Sequence, residues 1–121
     1  MKTTVIVGAS PNPSRYAYKA ASMLSEDGKE FIPLGIKEGN LFGNDILDLR
    51  KKPNLKEVDT VTVYLGPEKQ TEWYEYILSL KPRRIIFNPG TENSTFASMA
   101  QKQGIMVEEA CTLVLLTTGT Y

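Results

Sequence analysis

The run Thr3-Thr4-Val5-Ile6-Val7, followed by Gly8-Ala9-Ser10-Pro11-Asn12-Pro13, constrains this chain more than any other stretch. Successive β-branched and mostly apolar residues suit a strand buried on both faces. A strand of that kind belongs in a parallel sheet covered by helices. After the turn, Ala17, Ala20, Ala21 and Leu24 recur at helical spacing. Buried strand, tight turn and amphipathic helix together form the layout in which α/β domains hold phosphate at a helix start.

The alternation continues along the chain. Gly28 closes the first helix, and Glu30–Leu34 is predicted as a second strand. Thr60–Leu65, Arg84–Phe87 and Ile105–Val107 read as strands three to five. Trp73, Tyr76, Ile77 and Leu80 form one helical stripe, and Phe96, Met99 and Ala100 another that ends at Gly104. The stretch 37–53 is less regular, with a short helical piece at Ile46–Leu49. Leu113–Leu116 is an apolar tail of undefined shape. The pattern predicts one doubly wound α/β domain over residues 1–121, with a five-stranded parallel sheet and helices on both faces.

Composition narrows the function. Fourteen basic and fourteen acidic residues cancel, so no long-range field draws the chain to nucleic acid or to an anionic membrane. A positive ligand site has to be local. No stretch spans a bilayer and no signal-peptide layout opens the sequence, so a cytoplasmic location is expected. The single Cys111 excludes an internal disulfide. Histidine is absent, which removes the commonest general base and zinc ligand, and no metal site is expected.

In doubly wound sheets, ligands bind beyond the carboxyl ends of the strands, where the strand order reverses. Loops 8–15, 35–38, 65–68 and 88–93 therefore form one candidate set. A dinucleotide fingerprint asks for glycine at positions 8, 10 and 13, and only Gly8 is there. Ala9 and Ser10 are still small enough for close backbone approach. The Ser10 hydroxyl can donate to a phosphate oxygen, Arg15 can add a bidentate contact, and the two prolines stiffen the turn. The same loop also reads as an ordinary strand–helix turn capped by Ser10, Asn12 or Ser14.

After strand two, an NAD site carries an acid for the ribose hydroxyl. Leu34-Gly35-Ile36-Lys37 offers a lysine instead, which suits a phosphorylated ribose. That points to NADP or to the 3′-phosphate of coenzyme A; a solvated surface lysine is the bland alternative. Leu65-Gly66-Pro67 and Asn88-Pro89-Gly90-Thr91-Glu92-Asn93 read equally well as ligand walls or as turns that open helices.

Taken together, Gly-Ala-Ser-Pro-Asn-Pro with Arg15, the Tyr18-Lys19 pair, a proline-bearing second strand followed by Lys37, and Gly-Thr-Glu-Asn after strand four resemble the small stand-alone CoA-binding proteins. These are Rossmann-like domains related to the CoA-binding domain of succinyl-CoA synthetase. The resemblance reaches to about Cys111. It implies that Gly8, Ala9, Ser10, Asn12 and Arg15 cradle the diphosphate and that Lys37 lies near the adenosine end. It further implies that Leu65, Pro67, Asn88, Pro89 and Gly90 line the rest of the cleft. Three places depart from the family pattern. Leu34-Gly35-Ile36 replaces a Val-Asn-Pro ending, Tyr64-Leu65-Gly66-Pro67 replaces a basic run, and an apolar tail follows Cys111. That tail fills core, covers the sheet edge or meets a partner in a homodimer; core packing is the favoured reading.

Chemistry finds little support. The phosphorylated histidine of the synthetase has no counterpart, and the chain is too short to add an ATP-binding domain. Tyr18 and Lys19 are adjacent, so on a helix they diverge by about a hundred degrees and share no face. Cys111 can be drawn as a mixed-disulfide partner for a CoA thiol, but a lone cysteine after a strand is more often packed. Trp73 and Tyr76 read as helix-to-sheet packing. The leading expectation is non-catalytic binding of CoA or an acyl-CoA. The alternatives are an NADP- or NAD-binding, redox-sensing module and a small acyl-CoA-dependent enzyme.

Overall fold

Thr3–Val7 forms β1, buried at every residue, in the middle of the sheet of the computed structural model, which describes residues 2–121. Helix α1 (Tyr16–Glu26) leads to β2 (Phe31–Gly35), parallel to β1. Two two-residue strands, β3 (Asn40–Leu41) and β4 (Asn44–Asp45), pair as a hairpin. There follow β5 (Leu47–Asp48), β6 (Val58–Val63), α2 (Tyr74–Ser79), β7 (Arg84–Phe87), α3 (Ser94–Lys102), β8 (Met106–Glu109) and α4 (Thr112–Thr118). The main sheet has the order β5-β2-β1-β6-β7-β8, parallel at every pairing.

Alternation along β1 sorts the core into two layers, because successive strand residues face opposite sides. Val5 and Val7 join Val61, Val63, Ile85 and Phe87 under Tyr76, Ile77 and Leu80 of α2 and its cap and Phe96 and Ala100 of α3. Ile6 joins Ala17, Ala21 and Leu24 of α1 and Leu116 of α4 on the other side. Trp73 and Tyr76 are buried in the first layer, so they act as packing residues. The second layer also holds a polar patch: Thr60, Thr62, Arg84, Asn88 and Thr112 are all buried. Arg84 lies against the Tyr121 ring, 4.6 Å from its centroid, and pairs with Glu108 at 3.2 Å. Among the described residues, no helix is long and apolar enough to cross a membrane.

The sheet has six strands where the sequence pattern predicts five. The extra one is β5, at the edge beside β2, in the stretch read as a short helical piece. A two-residue strand is shorter than any window in which periodicity can be recognised. A 3₁₀ turn follows at Leu49–Lys51, started by the Asp48 carboxylate accepting from the Arg50 amide at 2.9 Å. The tail of undefined shape is α4, which ends at Gly119 in the left-handed region, φ 72°. Leu116 fills core, whereas Val114 is 56% exposed.

Gly35 marks where β2 runs closest to the first loop. A Cβ added there would lie 2.4 Å from the Ala9 carbonyl oxygen, a backbone atom with little room to yield. Gly35→Ala is therefore expected to destabilise the fold by about 1–3 kcal/mol. Urea unfolding should show a lower midpoint at unchanged slope.

Candidate functional site

Strand order reverses between β1 and β6: from β1 the chain moves outward through β2, then crosses back to β6 and proceeds the other way. The carboxyl ends of these two strands carry Gly8 and Tyr64. Gly8 has φ +97°, and a Cβ there would lie 3.1 Å from Leu65 Cδ2 and 3.2 Å from the Tyr64 carbonyl carbon. Only glycine meets both demands, the left-handed backbone and the close approach.

A cleft of about 420 Å³ opens at this point, within the usual range of small-molecule sites, roughly 300–1,000 Å³. Gly8, Ala9, Ser10 and Arg15 line it from the first loop, Gly35 and Lys37 from the end of β2, and Leu65 and Pro89 from the far side. Seven of the eleven residues singled out in the sequence thus line one cavity; Asn12, Pro67, Asn88 and Gly90 do not. A second depression of about 360 Å³, lined by Thr3, Lys29 and Glu30 among others, lies at the amino ends of the strands, away from these loops.

The first loop is held by its own side chains. Ser10 Oγ accepts from the Asn12 amide at 3.1 Å, and Asn12 Oδ1 accepts from the Ser14 amide at 3.0 Å and from Ser14 Oγ at 2.8 Å. Asn12 therefore stiffens the turn and does not line the cleft. The amides of Gly8 and Ala9 both donate to the Leu34 carbonyl, at 2.9 and 2.8 Å. Their part in the site is to be small, since those donors are already used. Among the described residues, no group accepts from the Ser10 amide. The first-turn amides of α1, which begins at Tyr16 beside the cleft, are free of intrahelical partners as in any helix.

Arg15 and Lys37 stand exposed at the cleft, on the first loop and after β2. The ion pairs among the described residues are Asp48–Arg50, Asp59–Arg83 and Glu108–Arg84, so neither cation is neutralised by a carboxylate. In a chain of zero formal net charge, Arg15 and Lys37 flank a floor of glycine, alanine and serine, and Lys69 and Glu72 also line the cleft.

The far side is structural as well as lining. Asn88, 3% exposed, spends its amide inside the protein. Its Nδ2 donates to Thr62 Oγ1 at 2.7 Å and to the Val63 carbonyl at 2.9 Å, and its Oδ1 accepts from the Thr112 amide at 2.8 Å. Pro67 opens a 3₁₀ turn at Pro67–Lys69, and exposed Gly90 takes φ +89° in the turn after β7. The cleft also takes in Tyr16, Ile36, Lys69, Glu72, Trp73 and Thr91, which the sequence reading did not assign to a site. Exposed Tyr16 and Ile36, 66% and 61%, carry the signal that was available: apolar side chains beside assigned loop residues.

Tyr64 also borders the cleft, but burial pushes its hydroxyl up to about 12. That oxygen is buried beside Thr62 and Thr112 without a hydrogen bond of ordinary geometry. It stays protonated near neutral pH and offers no base. Cys111 is half-buried ahead of α4 and does not line the cleft. Among the described residues, no side-chain hydrogen bond joins two titratable groups of the cleft.

The family model of the CoA binding domain matches residues 2–117. An uncharacterized protein of known crystal structure is similar over the whole length. It shows 49% identity and a TM-score of 0.95, with 100% of this chain and 98% of that chain covered. A Thermus thermophilus protein gives 25% identity and a TM-score of 0.84 over 99% of this chain and 90% of its own. A hypothetical protein from Pyrococcus horikoshii OT3 shares the fold, with 22% identity and a TM-score of 0.79 over 92% and 78%. No curated protein matches.

Proposed function

The chain belongs to the CoA-binding domain family, and on that premise we propose that it binds coenzyme A or an acyl-CoA in the cleft at its strand ends, without chemistry on the ligand. The observation that carries this reading is the pair of unpaired cations, Arg15 and Lys37, beside the small-residue floor Gly8–Ala9–Ser10. The diphosphate lies against Ser10, Arg15 and the first turn of α1, where free amides and the helix dipole favour negative charge. Lys37 meets the 3′-phosphate, and the pantetheine arm runs over Leu65 and Pro89. Asn12, Pro67, Asn88 and Gly90 support the loops that make these contacts.

Thermal stabilisation by CoA, dephospho-CoA, NAD, NADP and ATP at equal excess tests the reading. A ligand at a hundredfold its dissociation constant stabilises by roughly 2.7 kcal/mol. CoA is expected to give the largest shift and dephospho-CoA a smaller one. In Lys37→Met, which removes the charge without adding a repulsive one, the two should become equivalent. A shift with NADP and none with CoA would assign the cleft to a dinucleotide instead. Equal shifts from CoA and dephospho-CoA in the unaltered protein would remove Lys37 from the site.

A further inference from the structure

We propose that Gln70 is a positioning residue for the far wall of this cleft, the wall that faces the pantetheine arm; the inference rests on the CoA reading above. Gln70 is 1% exposed, although glutamine is usually found at the surface. Its single amide group joins the two loops of that wall. Nε2 donates to the Leu65 carbonyl and to the Thr91 carbonyl, both at 2.8 Å. Leu65 belongs to the loop after β6 and Thr91 to the loop after β7, and both line the cleft. Gln70 Oε1 in turn accepts from Asn93 Nδ2 at 3.0 Å, while Asn93 Oδ1 caps α3 by accepting from the Phe96 amide at 3.0 Å. Asn93 Nδ2 also donates to the Tyr74 hydroxyl at 2.7 Å.

Both Nε2 hydrogens and the amide oxygen are therefore engaged, and the two loops are fixed to each other and to the start of α3. Loops after separate strands have no ladder between them to hold their spacing, and here a side chain takes that role. A wall fixed before the ligand arrives loses little ordering entropy on binding. Gln70 need not touch the ligand; it sets where Leu65 and Thr91 stand.

Gln70→Glu keeps the size and removes the donors, setting a carboxylate against two carbonyl oxygens. CoA binding should weaken by about tenfold or more, the scale of one hydrogen bond to a buried partner. Adenosine 3′,5′-bisphosphate, which has no pantetheine arm, should bind the variant and the unaltered protein alike. That ligand also controls for folding, since a misfolded variant would lose both. Asn93→Asp is the second variant: it keeps the helix cap but loses the donor to Gln70, and it should weaken CoA in the same selective way. Equal loss of both ligands in an Asn93→Asp protein whose thermal melt matches that of the unaltered protein, or unchanged CoA affinity in Gln70→Glu, overturns the positioning role while leaving the CoA reading intact. Failure of the unaltered protein to bind CoA overturns the reading and the inference together.

Discussion

Replacing Ser10 by glutamate is expected to abolish CoA binding with little change in stability. Ser10 sits on the floor of the cleft between Ala9 and the prolines, and the amide beside it has no protein acceptor among the described residues. A carboxylate there stands where the diphosphate must lie. At an effective dielectric of about 20, two unit charges about 4 Å apart repel by about 4 kcal/mol, on the order of a thousandfold in affinity. Among the described residues, the hydroxyl's one protein hydrogen bond is the one it accepts from the Asn12 amide in an exposed turn, so folding has little stake in it. Calorimetric titration with CoA measures the loss, and a thermal melt supplies the control. Retained affinity in a folded Ser10→Glu protein would remove the first loop from the phosphate site.

Asn88→Ala is expected to have the largest effect on stability. Three hydrogen bonds of 2.7–2.9 Å disappear at once. They leave the Thr112 amide and the Val63 carbonyl without this partner in the interior. Each orphaned buried group costs about 1–3 kcal/mol, so a total of roughly 3 kcal/mol is a cautious figure. For a chain of this size that lowers the melting temperature by on the order of 10 °C. Because Asn88 joins β6, β7 and α4, fraying of α4 should accompany the loss. Amide exchange at Leu115 and Leu116, both within α4, would report it. A melting temperature near that of the unaltered protein would mean that the network contributes little.

The central strands were legible in the sequence because burial on both faces leaves a mark. Val5–Val7 and Ile85–Phe87 are short apolar runs that few other structures tolerate, and Val61 and Val63 alternate with a buried threonine. Helix α4 left no comparable mark. Thr112-Leu113-Val114-Leu115-Leu116-Thr117-Thr118 is uncharged and rich in β-branched residues, which have low helix propensity. Its stability comes from contacts distant in sequence: Asn88 at its first amide, Leu116 in the core, and the Thr62–Thr112 hydroxyl pair at 2.8 Å. Strand β5 was hidden by its length. In the site, the strand-end rule gathered Ser10, Arg15, Lys37, Leu65 and Pro89 around one cavity, because topology alone decides which loops meet. It could not reveal how Asn88 and Gln70 spend their amides. Both lie in loops beside the cleft, yet each is turned inward to bind backbone groups that only the folded chain brings within reach.

Amide chemical-shift mapping during titration with CoA tests the central claim most directly, because it locates the ligand as well as detecting it. Saturable shifts are predicted at Gly8, Ala9, Ser10, Gly35, Lys37, Leu65 and Thr91, the residues gathered at the strand ends. The amides around Thr3 and Glu30, at the opposite end of the sheet, should stay in place. Shifts confined to that opposite end, or none at millimolar CoA, would contradict the assignment of this cleft to coenzyme A.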